Sequence, residues 1–223
     1  PVAGAIGVGF VGAGAFARAV LLPAFAKASS VTLARVATAH GLTAHDAQRK
    51  FGFVAIGTDA DEVLADPAVH LVCIATRHDA HADLVARALD AGKHVFVEKP
   101  LAIDEEGLMR VEQAARRSGA VLLVGFNRRF APMAKAVREA LEGRGPIALT
   151  YRVNAGPLPA GHWINDPEIG GGRIIGEGCH FVDLLSFLTG DARIEGVRAR
   201  ALGRPRGPAE DVAIEIAFAD GSV

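Results

Sequence analysis

The sequence predicts an α/β fold: a doubly wound parallel sheet over residues 1–124, then a second, smaller domain over residues 125–223. Three observations predict it. Stretches that read as strands and helices alternate through the first domain, as in a doubly wound sheet. Continuous apolar runs such as IGVGFV (6–11) and LVCIAT (71–76) suit strands buried on both faces. A glycine-rich turn joins the first of these runs to a helix.

That turn can be read in two registers. Gly7, Gly9 and Gly12 fit Gly-x-Gly-x-x-Gly, and Gly12, Gly14 and Ala17 fit the variant ending in Ala. A dinucleotide-binding turn needs a strand before it and a helix after it. The first register leaves a strand of about 2–6, interrupted by Gly4, and puts Phe10 and Val11 in the phosphate loop; the second gives strand 6–11 and a helix opening at Ala15 and Phe16, and is the better fit. Gly12 permits the tight bend, Gly14 lets the backbone approach a pyrophosphate, and Ala17 keeps helix and strand close. The helix mouth offers free N–H groups and partial positive charge to phosphates. NAD or NADP is the expected cofactor.

The elements then follow in order. Residues 16–28 read as helix, with Pro23 as a break or second start, and 31–38 as strand. The end of that strand, about 20 residues past the glycines, normally carries an acid for the adenosine ribose. Thr38 stands there instead, so nothing rejects a 2′-phosphate, no adjacent arginine welcomes one, and cofactor choice stays open. Helix is expected over 43–51 and strand over 53–56, then a helix over 60–65 capped by Asp59 and ended by Asp66-Pro67. The strand LVCIAT carries Cys73 as core packing. Helix 80–91 with its Gly92 stop, strand 94–97, helix 104–118 stopped by Gly119, and strand 120–125 complete the domain. Glu98-Lys99-Pro100 lies at the carboxyl end of strand 94–97, where open α/β sheets bind ligands. By position alone Lys99 is either solvated or functional.

The run ALDAGKHVFVEKPLA (88–102), with IAT (Thr76) and His81 before it, is similar to the glucose–fructose oxidoreductase / inositol dehydrogenase (Gfo/Idh/MocA) family. So are GFNRRF (125–130) and GGGRIIGEGCHFVDLLSFL (170–188). The resemblance implies an NAD(P)-dependent dehydrogenase or reductase of sugars, inositols or similar polyols. It also implies a Rossmann domain followed by an α+β domain with an open, mostly antiparallel sheet, and a homo-oligomer, dimer or tetramer. On the matched motifs it makes Lys99 catalytic and His180 its acid/base partner, and it places Thr76, His81 and Glu98 with the cofactor. One departure stands out. The aspartate of the family's Asp-x-Gly-x-His falls on Gly176, one residue before Glu177.

The second domain adds readings of its own. Residues 132–141 suit a helix and 147–153 a strand. The Gly/Pro-rich connection 155–172 is long enough to be a binding loop. In it, His162 and Trp163 suit a polyhydroxylated ring, with an apolar face to stack on and donors at the edge; alternatively Trp163 pins the loop to the core. If the strand ending at Phe130 stays extended, Asn127 and Arg129 share a face and are candidates for substrate contact. Helix 177–188 buries Phe181, Leu184, Leu185 and Leu188 at spacings of three and four. On a neighbouring face Glu177, His180 and Asp183 stand three apart. Glu177 is therefore expected to supply the displaced catalytic carboxylate, and Asp183 to face substrate. Two acids favouring the helix dipole is the plainer alternative.

Composition sets bounds. The 223 residues carry a net charge of −1 and no basic run, which argues against a nucleic-acid partner. Two cysteines, Cys73 and Cys179, form no disulfide framework, which favours the cytoplasm. No His/Cys cluster has metal-ligand spacing. The uncharged run 1–17 lacks a basic start, is broken by glycines and is short for a membrane span. Strands are expected over 194–202 and 211–218, with a hairpin turn at Asp220-Gly221. The chain stops where a returning strand is due and starts without Met, so truncation is expected, leaving an unpaired edge. A non-catalytic dinucleotide- or sugar-sensing protein is the rival to the enzyme.

Overall fold

The computed structural model describes residues 4–159, 161–202 and 211–223. The chain forms two compact units, Pro1–Gly125 and Phe126–Val223.

In the first unit the strands β1 (Ile6–Val11), β2 (Val31–Ala37), β3 (Ala55–Gly57), β4 (Leu71–Ile74), β5 (His94–Val97) and β6 (Leu122–Val124) form one sheet, in the order β3-β2-β1-β4-β5-β6. Every neighbouring pair is parallel. The order reverses between β1 and β4, the switch point at which such sheets bind ligands.

Both faces are covered. On one, Val8, Phe10, Leu33, Val36 and Phe53 pack with Leu22 of α1 (Leu22–Lys27) and Ala44 and Ala47 of α2 (Gly41–Phe51). Phe10 meets the Phe25 and Phe53 rings edge-on, with centroids 5.4 and 5.8 Å away. On the other face, Val72, Ile74, Val95 and Val97 pack with α3 (Ala60–Leu64), α4 (His81–Asp90) and α5 (Glu105–Ser118). Local chemistry bounds these helices. Asp59 and Glu62 form a capping box on α3, Asp104 accepts the Gly107 N–H before α5, and Gly119 ends α5 at φ 64°.

β1 shows why one glycine register is for packing. A Cβ on Gly7 would stand 1.7 Å from the Ala68 carbonyl oxygen, and one on Gly9 would stand 2.4 Å from Val63 Cγ1. These glycines let the 63–69 segment lie directly on the strand. The turn itself follows β1 at residues 12–14, and helix begins at Ala15, as the second register requires. The helix widens into a π turn, Ala17–Leu21, just before Pro23, which has no N–H to contribute, and continues as α1. At the amino edge, Gly7 N–H donates to His70 Nδ1 (2.9 Å) and Val121 N–H to His94 Nδ1 (3.0 Å).

The second unit contains α6 (Pro132–Leu141), α7 (Cys179–Leu188) and an antiparallel pair, β7 (Ile194–Ala201) with β8 (Val212–Phe218). Two expectations fail here. Residues 147–153 form no strand; Val223 accepts from Leu149 N–H (2.8 Å) and donates to Ile147 C=O (3.0 Å), Ser222 Oγ accepts the Ile147 N–H (3.0 Å), and no ladder runs further among the described residues. The strand before Phe130 ends at Val124, and Arg128–Phe130 coil into a 3-10 turn. Period two therefore does not put Asn127 and Arg129 on one face. Ala160, in the long loop, lies outside the described residues. No helix among the described residues is long and apolar enough to cross a membrane.

Candidate active site

In the first unit the expected site residues gather at the carboxyl ends of the parallel strands. Gly12, just past β1, has φ 91°, and a Cβ there would meet the Ala75 carbonyl oxygen at 2.5 Å. A side chain is thus excluded by both conformation and space. At Gly14 nothing lies within 4 Å of the position a Cβ would take. Gly14 C=O accepts the Arg18 N–H (3.0 Å), so the N–H groups just before Arg18 form the open mouth of the helix. Ala15 and Phe16 are exposed there, while Ala17 is buried beneath them. A floor of glycine, free N–H groups and a buried alanine fits a pyrophosphate.

Thr38 follows β2, nearly buried, and its hydroxyl donates to His40 C=O (2.8 Å). Thr76 lies past β4, with its hydroxyl donating to Arg77 C=O (3.1 Å). Glu98 and Lys99 follow β5 directly, and the Lys99–Pro100 peptide is cis. Glu98 is tucked against Gly125, where a Cβ would come within 2.9 Å of its carboxylate. Burial raises the pKa of Glu98, and the Lys99 charge only partly offsets it.

His81 is wholly buried, so it has no surface to offer a ligand. Its Nδ1 lies 2.7 Å from Pro100 C=O, which fixes the proton on that nitrogen. Burial lowers the His81 pKa, while the Pro100 and Thr76 carbonyls pull it upward. The ring is a neutral support for the turn that carries Lys99.

In the second unit the charged candidates hold one another. Arg129 clamps the Asp183 carboxylate with Nε at 3.0 and 3.2 Å and Nη2 at 2.6 Å, and Nη1 reaches Asp191 at 3.3 Å. The Asp183 side chain is only 9% exposed, so this bidentate pair is largely shielded from water. Arg129 also lies over the Phe187 ring and Arg128 over Phe181, which stacks on Tyr151. The 126–130 turn is thereby fastened to α7. Asn127 is exposed at the start of that turn.

His180 sits in the first turn of α7, with the Phe126 ring edge-on at 6.2 Å. Helix begins before Glu177, at residue 172, and passes through a π turn, Ile174–Gly178. Such a turn bonds i to i+5, which rotates Glu177 away from the regular three-residue spacing to His180 and Asp183. The Glu177 carboxylate instead accepts from Arg173 Nη2 at 3.0 Å. Gly176 is buried. In the long loop the His162 and Trp163 rings stack at 5.9 Å, and His162 Nδ1 accepts the Ile164 N–H. Arg173 and Asp191 join these charged groups without having been marked by any sequence motif. Arg173 could have been found, since it stands four before Glu177; Asp191 lies 62 residues from Arg129 and left no local signal. Among the described residues no cluster of His, Cys, Asp and Glu could hold a metal.

A parallel sheet of this order with a glycine cradle at its switch point defines a dinucleotide-binding protein. Residues 6–126 match the model of the oxidoreductase family with an NAD-binding Rossmann fold (Gfo/Idh/MocA), and the chain belongs to that family. It is 37% identical over 145 residues to the 1,5-anhydro-D-fructose reductase of Ensifer adhaerens, covering 63% of this chain and 44% of the relative. With the levoglucosan dehydrogenase of Pseudarthrobacter phenanthrenivorans it shares 30% over 254 residues, 99% of this chain and 65% of the relative. Among solved structures, GenD2 from gentamicin A biosynthesis in complex with NAD superposes with TM-score 0.82 at 29% identity, over 100% of this chain and 65% of that one. The chain spans less than two thirds of the length of these relatives.

Proposed function

We propose that the protein is an NAD(P)-dependent oxidoreductase acting between a secondary alcohol and a ketone of a sugar, inositol or similar polyol. The observation that carries the reading is the open ground above Gly14 at the helix mouth, at the switch point of the sheet. The names of the two relatives, one a reductase of an anhydro-sugar and the other a dehydrogenase of levoglucosan, support the substrate class.

When bound, the nicotinamide cofactor supplies the hydride acceptor or donor. The turn from Gly12 to Ala17 holds its pyrophosphate, Thr38 meets the adenosine ribose, and Thr76 and Glu98 border it. His81 contributes through Pro100. Lys99 holds the substrate oxygen and stabilises negative charge developing there. His180 takes the hydroxyl proton during oxidation and returns it during reduction. His162 and Trp163 meet the ring, with Asn127 at the edge; Arg129 and Asp183 set the turn that presents it. The second domain also joins subunits into a dimer or tetramer, in the cytoplasm.

One feature favours a second reading, a non-catalytic sensor of dinucleotide or sugar: Gly176 has no side chain where the family pattern has an aspartate. Assay of a panel of sugars and polyols, levoglucosan and myo-inositol among them, with both cofactors separates the two. Oxidation or reduction of at least one, abolished by Lys99→Ala and His180→Ala, is expected; binding without turnover across the panel would favour the sensor. Thr38 further predicts weak cofactor discrimination or a modest preference for NADP. A hundredfold preference for NAD, about 2.7 kcal/mol, would contradict that reading of the β2 end.

A further inference from the structure

Among the described residues, the loop over 155–172 shows two sets of bonds with different jobs. Its tip fastens itself. Asn165 N–H donates to His162 C=O (2.9 Å), and its Nδ2 donates to Pro159 C=O (3.2 Å). The Asp166 carbonyl accepts from Gly170 (2.8 Å) and Gly171 (3.1 Å), and its carboxylate accepts the Glu168 N–H. Gly170 presses so close to Ile164 that a Cβ would stand 2.4 Å from Ile164 Cα. The tip is therefore packed on its own backbone, in the manner of an Ω-loop. The stems that carry it are joined differently, by a side chain. Arg173 Nη1 donates to Gly156 C=O at 2.5 Å, across the loop, while Nη2 holds Glu177 at 3.0 Å.

We infer that Arg173 is the staple that closes this loop and that Glu177 is its counter-ion, so that the two form a positioning pair for His162 and Trp163. A guanidinium is planar and forked; fixing one arm on a carboxylate fixes where the other points. The i,i+4 spacing puts Glu177 where it can do so, and the Arg173 side chain, 12% exposed, is mostly out of water. Glu177 thus acts through Arg173 and Gly156, in place of the carboxylate beside His180 that residue spacing suggested. That the loop meets a sugar rests on the functional reading above. The staple does not.

The test uses the whole chain. Trp163 is its only tryptophan, so emission excited at the red edge, where Tyr151 does not absorb, reports on this loop alone. Arg173→Gln is expected to raise the acrylamide quenching constant of Trp163 at least about twofold, because a loop freed at its stem samples open positions. Glu177→Gln should raise it less, and it keeps the test decisive if Arg173→Gln does not fold. The exchange Arg173→Glu with Glu177→Arg restores an ion pair but not the Gly156 bond, so quenching should stay high. On any sugar the wild type oxidises, KM should rise in the single variants while kcat holds. Wild-type quenching in both folded single variants would overturn the inference. So would a collapse of kcat in Glu177→Gln with quenching unchanged, since that is the behaviour of a carboxylate in the chemistry. If the wild type oxidises no sugar or polyol and quenching still rises, the functional reading falls and the staple stands.

Discussion

The two units build their candidate sites from different materials. In the first, the site is backbone: a turn, a helix mouth and a strand end, each placed by an apolar core on both faces of the sheet. In the second, it is held by charged side chains, with Arg129 on Asp183 and Asp191, and Arg173 on Glu177 and the Gly156 carbonyl. The first arrangement is insensitive to a surface charge but intolerant of a single extra carbon where backbone packs on backbone, as at Gly7 and Gly12. The second tolerates bulk and depends on charges.

The contrast can be broken from either side. The largest effect is expected in the first unit, from Gly7→Val. Its Cβ would overlap the Ala68 carbonyl, and backbone on both sides cannot yield, so a loss of roughly 3 kcal/mol or more is expected in denaturant unfolding. A change under about 1 kcal/mol would show that the 63–69 segment is not held against β1. Next comes Arg129→Ala, which strands the shielded Asp183 carboxylate and should cost about 2–3 kcal/mol in the second unit. Asp183→Asn in the same background should restore part of it; the absence of any restoration would mean that Arg129 acts by packing on Phe187.

Gly14→Val sharpens the comparison, because it separates binding from folding. Open space surrounds that position, so stability should hold while affinity for reduced cofactor falls by more than about tenfold. Wild-type affinity in the folded variant would place the cofactor elsewhere. The smallest effect is the response to acid. The His81 pKa is lowered in the fold, so the unfolded chain binds its proton first, and stability present above about pH 6.5 is lost as pH falls below it. Acid should weaken the first unit by up to about 1.4 kcal/mol per pH unit through His81, the limit for a histidine fully excluded from protonation. His81→Asn should flatten the profile; an unchanged slope would assign it to groups other than His81.

The same contrast explains what the sequence disclosed. Buried parallel strands announce themselves as apolar runs, so β1, β4 and β5 were legible, as were the Asp104 and Gly119 ends of α5. The candidate cradle was legible because glycine is the signal itself. The second unit was harder. The 147–153 segment has strand-like residues, but pairing depends on a partner that local sequence does not show, and its backbone bonds among the described residues go to Ser222 and Val223 instead of to a strand. The π turn at Ile174–Gly178 shifted the face on which Glu177 was expected. Arg129 and Asp183 were each visible as charges, while their bond, 54 residues apart in the chain, was not. Long-range ion pairs leave no periodicity to read.

β7 has a bearing on how the protein behaves in concentrated solution. It is eight residues long, exposed throughout, and among the described residues is bonded on one side only, to β8. The β6 edge of the large sheet, by contrast, is three residues long, too short to template much of anything. On β7, Glu195, Arg198 and Arg200 interrupt Ile194, Val197 and Ala199, the kind of charge placement that keeps a bare strand from recruiting a second copy. The two arginines of one copy repel those of another only while unscreened, and at 1 M salt their reach shrinks to about 3 Å. Self-association of this chain should therefore be governed by ionic strength, with dilute buffers the gentler medium and salting-out the point at which β7 begins to act as a seam.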